Sequence, residues 1–162
     1  MTKDSKTRFN WLHLIIWIVA IQIIGGLSAL FAGDIKNIYN HLSVPPLSPP
    51  NYLFGIVWPV LYALIAISGY LIYRSSYSKH DKTMNYSLFG IQLFLNFIWS
   101  IVFFNNLQYW IGVIIIVILD IIVLLCVTNF YKSSKLAAYL LIPYFIWILF
   151  ATYLSIGVAI LN

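Results

Sequence analysis

Two tryptophans stand well inside apolar runs: Trp58 in NYLFGIVWPVLY (51–62) and Trp147 in IPYFIWILFATYLS (142–155). Membrane tryptophans concentrate at the two water interfaces, so Trp147, near the middle of its run, is out of the usual place. Phe54, Trp58 and Tyr62 recur every fourth residue and share one helix face. In LNFIWSIVFF (95–104), Asn96, Trp99 and Phe103 lie at i, i+3 and i+7; in the last run Pro143, Trp147, Ala151 and Leu154 lie at i, i+4, i+8 and i+11. Such faces offer large rigid surfaces on which an apolar ligand stacks. Periodicity alone does not separate a pocket from helix packing, the commoner use of aromatic stripes, because every face of these runs is apolar.

Asp120, in VILDIIVLL (117–125), is the other residue that invites chemistry. An acid at mid-membrane costs about 2.5–3.5 kcal/mol on insertion scales, and such residues face an interior or a cavity. It reads either as a polar or proton-linked group in a pocket, or as a neutral acid bonded to a neighbouring helix or a dimer interface. The familiar enzyme constellations are missing. The chain has no Glu, no Ser-His-Asp set at motif level and no Gly-rich phosphate loop. His13, His41 and His80 fall in the first apolar run and in two different loops, so no metal site is expected. Cys126 is the sole cysteine, which excludes an intramolecular disulfide and any multi-Cys metal site.

The elements that must position these residues follow from composition. Hydrophobic residues make up 62% of the 162 and charged residues 8%, too few charges to cover a soluble surface. Five apolar runs, at about 9–32, 51–73, 85–105, 109–130 and 136–161, are each long enough to cross a hydrocarbon core of about 30 Å. The expectation is an all-α integral membrane protein, one five-helix domain over 1–162. The first run is far longer than a signal-peptide h-region of about 7–15 residues, so a retained anchor helix is expected. The net charge of +5 sits in short clusters between runs, which suits membrane orientation rather than nucleic-acid binding. Lys3, Lys6, Arg8, Arg74, Lys79, Lys82, Lys132 and Lys135 fall on one side and Lys36 alone on the other. The positive-inside rule then predicts a cytoplasmic N-terminus, with the C-terminus and the 33–50 loop outside.

That loop carries Pro45, Pro46, Pro49 and Pro50. Proline fixes φ and drives its predecessor toward extended backbone, so the segment is stiff and cannot be helical throughout. It reads as a rigid spacer or as a lid over a cavity mouth, with Asn51 as the N-cap of the next helix. Pro59 breaks a backbone bond inside that helix. In the first run Gly25, Ala29 and Gly33 make a small-xxx-small face, either for packing within the chain or for a homodimer seam.

These runs, in this order, resemble the translocator protein family, also called the tryptophan-rich sensory protein or peripheral-type benzodiazepine receptor family. The resemblance rests on YNHLSVPPLSPPNYLFGIVWPVLYALIAISGYLIY (39–73), LNFIWSIVFF (95–104) and LLIPYFIWILFATYLS (140–155). It implies a five-helix bundle whose first loop closes a pocket for tetrapyrroles of the protoporphyrin IX type or other hydrophobic small molecules. A sensor, scavenger or translocator role, in a homodimer in the bacterial cell membrane, goes with it; lipid is the surrounding partner and no cofactor is required. Matching positions would line the pocket: Tyr39, Pro49, Phe54, Trp58, Tyr62, Asn96, Trp99, Phe103, Trp147, Ala151 and Leu154. Light-dependent porphyrin degradation, reported for several bacterial members, would use Trp58 and Trp147 as electron donors. A small transporter or membrane partner without a tetrapyrrole role is the third alternative.

The sequence departs from the family pattern in three places. Ile38 and Leu47 replace loop tryptophans, which weakens any stacking by the loop. Leu154-Ser155 replaces a Leu-Asn pair. The tail SIGVAILN carries no Lys or Arg, so a sterol-recognition pattern is incomplete and cholesterol transport is discounted.

Overall fold

The computed structural model describes residues 9–75 and 79–162. Lys3, Lys6 and Arg8 of the orientation argument lie outside the described residues, as do the side chains of Lys79 and His80. Among the described residues there are six α-helices and no strand: α1 (Trp11–Ala32), α2 (Ile35–His41), α3 (Tyr52–Arg74), α4 (Lys79–Ser100), α5 (Tyr109–Ser133) and α6 (Lys135–Leu161). A π-helical segment, Ile101–Asn105, continues α4. Five of these helical stretches are long and apolar enough to cross a membrane. They pack as a ring in the order α1, α3, α6, α5, α4, with α4 and the π segment closing back on α1.

Local chemistry explains the boundaries. Asn10 caps α1, its side chain accepting from the Leu12 N–H at 2.9 Å, and Ser134 caps α6 by accepting from Ala137 N–H at 3.3 Å. Gly33, at φ 84°, ends α1 in a backbone region that other residues reach only at a cost. Asp34 then caps α2, accepting from Asn37 N–H at 3.1 Å. The expected N-cap role of Asn51 does not hold. Asn51 has helical backbone angles and makes no capping bond; its Nδ2 instead donates to Asn40 Oδ1 at 2.7 Å, tying α3 to α2.

The loop between α1 and α3 is therefore part helix and part proline-stiffened strap, and it is bonded down on several sides. Tyr39 Oη donates to Pro49 O at 2.9 Å, Ser48 Oγ to Pro45 O at 2.6 Å and Tyr153 Oη to Pro46 O at 2.6 Å. Asn162 at the end of α6 holds Ser43 from both sides, accepting from its N–H at 3.0 Å and donating to its carbonyl at 2.8 Å. Gly157 leaves just the space that the Pro45 ring fills. Leu47 sits at φ 66° and is 86% exposed, so it points away from the bundle.

The interior of the bundle away from this loop is packed, with a recess of about 240 Å³ between α4 and α5 lined by Asp81, Met84, Asn85, Asn129, Lys132 and Ser133. Ile65, Ala66, Ile72, Val123, Cys126, Phe130, Ala137 and Leu141 are almost wholly buried there. Ser68 Oγ donates to Ala137 O at 2.8 Å and Asn85 Nδ2 to Ser133 Oγ at 2.9 Å, so these polar groups are paired across helices.

Candidate functional site

Toward the loop end the helices part around a cavity of about 420 Å³. α3 contributes Phe54, Trp58 and Tyr62 from one face, as their four-residue spacing requires. α4 contributes Trp99, α6 contributes Trp147 and Ala151, and α2 places Tyr39 over the opening. The rings touch in two groups along the wall. Tyr39 meets Phe54 edge-on at 5.1 Å between centroids, Phe54 meets Trp147 at 6.1 Å, and Trp58 lies tilted against Tyr62 at 5.5 Å.

Of the eleven residues expected from the sequence, Tyr39, Phe54, Trp58, Tyr62, Trp99, Trp147 and Ala151 line this cavity. Pro49, Asn96, Phe103 and Leu154 do not. The Pro49 carbonyl holds the Tyr39 hydroxyl, one step behind the wall. Asn96 is 2% exposed and accepts from Tyr62 Oη at 2.9 Å, so Tyr62 stands between it and the cavity. Phe103 is turned aside by the π segment. There the backbone pairs five or six residues apart, Asn106 N–H to Ile101 O at 3.0 Å and Gln108 N–H to Val102 O at 3.1 Å. The wider turn puts Phe104, not Phe103, beside Trp99 on the cavity wall. Phe103 packs instead into the space left by Gly112 and stacks on Trp99 at 5.5 Å. Leu154 is buried within the α6 packing.

Asp120 is not in the cavity, to which α5 contributes no residue. Its Oδ2 lies 2.7 Å from Thr152 Oγ1 on α6, and the same hydroxyl lies 2.9 Å from Ile148 O. A threonine hydroxyl has one proton to give. The hydroxyl donates to Asp120 Oδ2 or to Ile148 O, so the acid is held against α6, and its Oδ1 is buried with no partner among the described residues. Of the two readings of this acid, the geometry gives a contact to a neighbouring helix and no place in the pocket.

Sequence reasoning missed the α1 wall: Gln22, Gly25, Gly26, Ser28 and Ala29. Gln22 Nε2 donates to Pro59 O at 2.7 Å, and Ser28 Oγ to Phe97 O at 3.1 Å. Gly25 is needed because a Cβ there would overlap the Tyr62 ring, so this end of the small-residue face serves packing within the chain. The polar Gln22 and Ser28 inside an otherwise apolar run were the available signal. Two cavity tryptophans also carry an unusual feature: the indole N–H groups of Trp99 and Trp147 are buried with no acceptor among the described residues. A buried donor left unpaired costs about 1–3 kcal/mol.

Outside the membrane spans, Tyr39 titrates above the ordinary tyrosine range, because burial disfavours its phenolate; the nearby Ser48 hydroxyl opposes this. Its hydroxyl therefore remains a donor to Pro49 through neutral pH.

The model of the TspO/MBR family matches residues 7–161 of this chain. The tryptophan-rich protein TspO of Archaeoglobus fulgidus is 38% identical over 154 residues, covering 94% of this chain and 99% of that protein. TspO of Bacillus cereus is 36% identical over 128 residues, 79% of this chain and 82% of its own length. Human translocator protein is 30% identical over 118 residues, 72% of this chain and 70% of its own.

Proposed function

This chain belongs to the TspO/MBR family of membrane proteins, and from that premise we propose that it binds a tetrapyrrole of the protoporphyrin IX type between its helices. One observation carries the reading: Trp58, Trp99 and Trp147, from three different helices, converge with Phe54, Tyr62 and Phe104 on a single cavity. Its volume falls in the ~300–1,000 Å³ range of small-molecule sites, and its walls are apolar with few polar groups. A flat macrocycle gains most from such walls, since it presents two broad faces for stacking.

The porphyrin enters here as ligand, not as a resident cofactor, and the role is that of a sensor, scavenger or translocator. The strap over Pro45–Pro50 acts as the lid, with α2 as its inner edge. The distribution of basic residues supports a cytoplasmic N-terminus with the lid outside. A homodimer is the working assembly.

The test is a titration of the detergent-purified protein with protoporphyrin IX in the dark, following tryptophan fluorescence. Saturable quenching, reduced in Trp58→Phe, is the expected outcome. Absence of saturation favours a membrane partner protein without a tetrapyrrole role.

A second reading is favoured by the shared placement of Trp58 and Trp147 on one cavity: light-driven addition of oxygen to the porphyrin, in which an indole gives an electron to the excited ring, the ring passes it to oxygen, the indole radical regains an electron from the porphyrin, and the porphyrin radical cation combines with the superoxide. Illumination in air should then consume porphyrin absorbance with turnover. Loss at the same rate in the Trp58→Phe/Trp147→Phe double variant would sink it.

A further inference from the structure

Four side chains form one line of hydrogen bonds behind the cavity wall. Tyr62 Oη donates to Asn96 Oδ1 at 2.9 Å, Asn96 Nδ2 to Tyr144 Oη at 3.1 Å, and Tyr144 Oη to Gln92 Oε1 at 3.0 Å. Of the four, only Tyr62 lines the cavity. Asn96, Tyr144 and Gln92 are 2%, 0% and 1% exposed. The line ends at Gln92 Nε2, a buried donor with no acceptor among the described residues.

Every link in this line is a hydroxyl or a primary amide, and each of these both donates and accepts. Turning the two amides over therefore reverses the whole line with the heavy atoms in place. Gln92 Nε2 then donates to Tyr144, Tyr144 to Asn96 Oδ1, and Asn96 Nδ2 to Tyr62. The unpaired atom becomes Gln92 Oε1, so each sense leaves one amide atom unmatched and neither is strongly preferred. What differs is the cavity end. In the observed sense Tyr62 gives its proton inward and presents an oxygen lone pair. In the reversed sense its proton is free for a ligand.

We propose that Asn96, Tyr144 and Gln92 are positioning residues that set whether Tyr62 offers a cavity ligand an acceptor or a donor, and that the ligand's own polarity selects the sense. The proposal rests on the reading of the cavity as a ligand site. It gives one wall residue two hydrogen-bonding characters, which suits a site that accepts ligands of differing rim chemistry.

The phenol C–O stretching band of Tyr62, isolated as the infrared difference between wild type and Tyr62→Phe, reports whether this hydroxyl donates or accepts. Without ligand, a donor-type band is expected, and Tyr144→Phe and Gln92→Met, neither of them a cavity residue, should each shift it. A band unmoved in both variants overturns the relay; if one variant fails to fold, the other decides. With protoporphyrin IX added, whose carboxylates accept, the band should move from the donor form to that of a hydroxyl that accepts from Asn96 and donates to the ligand at once. Tyr144→Phe should weaken porphyrin binding about fivefold in the wild-type background and under about twofold in the Tyr62→Phe background, since coupling needs both ends of the line. Equal losses in the two backgrounds overturn the proposal. If protoporphyrin IX does not bind at all, the tetrapyrrole reading falls, and the ligand-free band still decides the relay.

Discussion

The two halves of the bundle are built from the same helices and are equally apolar, yet one is closed and the other is hollow. At the closed end α3 runs through Ala66, Ser68 and Gly69, and α6 through Ala137 and Ala138, all buried. Small residues let helix backbones approach, and in lipid close packing rather than hydrophobicity holds helices together. A Cβ added at Gly69 would lie 2.6 Å from Phe89 Cζ and 2.7 Å from Trp17 Cζ3, so the rings fill that space completely. At the hollow end the same two helices carry Phe54, Trp58 and Trp147, which hold their neighbours apart. A Cβ at Gly55 would meet nothing within 4 Å. Side-chain size, not polarity, divides the molecule, and the Tyr62–Asn96–Tyr144–Gln92 line marks the division.

The largest test of that contrast removes one big ring from each half. Phe130, fully buried and stacked on Phe89 at 6.4 Å, has no room to be replaced. Phe130→Ala should cost about 3–5 kcal/mol, the usual range for an aromatic deleted from a filled core. Trp58→Ala enlarges a space that already exists, so its cost should be nearer about 1 kcal/mol, while porphyrin binding is lost. Thermal unfolding in detergent measures the first, and fluorescence titration with protoporphyrin IX the second. Equal destabilisation by the two variants would mean that the hollow half is packed as tightly as the closed one.

Adjacent glycines on α1 sharpen the boundary next. Gly25→Ala forces the Tyr62 ring to move and should cost about 1–3 kcal/mol, as overpacking does. Gly26→Ala meets nothing within 4 Å and should stabilise the helix by up to about 1 kcal/mol. Opposite signs in the unfolding temperature, one residue apart, are the expected result. The same signs would place Tyr62 elsewhere.

This contrast also explains what the sequence made legible. The five spans were readable within a few residues because length and hydropathy alone decide them. The α3 and α6 faces were legible through the resemblance carried by FGIVW and IPYFIW, and Trp147, at mid-span, also stood out by its place. The α1 wall was not, because Gln22 and Ser28 are too few polar marks for periodicity to separate the cavity face from the lipid face. Phe104 was hidden for a different reason: the π segment shifts the register by one residue, and nothing in SIVFFNN announces it. The helix α2 had a signal in Asp34, three residues before Asn37, but seven residues between prolines and a glycine read more readily as loop.

A smaller effect is expected at Asp120, which lies outside both cavity and closed core. If its carboxyl is the donor to Thr152, then Asp120→Asn keeps a donor at that place and should change stability by less than about 0.5 kcal/mol. Asp120→Leu removes the partner but leaves Thr152 bonded to Ile148 O, so its cost should also be modest, about 1 kcal/mol. Unfolding curves of the two variants in one detergent check this. A large loss in Asp120→Asn alone would show a charged carboxylate in use there.

The smallest effect concerns the strap between α2 and α3. Tyr153→Phe deletes one exposed bond, to Pro46 O, and should cost about 1 kcal/mol or less, because Asn162, Pro45 and Tyr39 hold the same segment independently. Tyr39 supplies the pH dependence. Burial raises its folded pKa, so the stabilising donor to Pro49 is fully present below the ordinary tyrosine value and is lost only as pH climbs through the raised one. Protease cleavage within 42–50 should therefore stay level up to about pH 10 and rise beyond it, and Tyr39→Phe should flatten that rise. A strap that loosens near neutral pH would show that some group other than Tyr39 governs it.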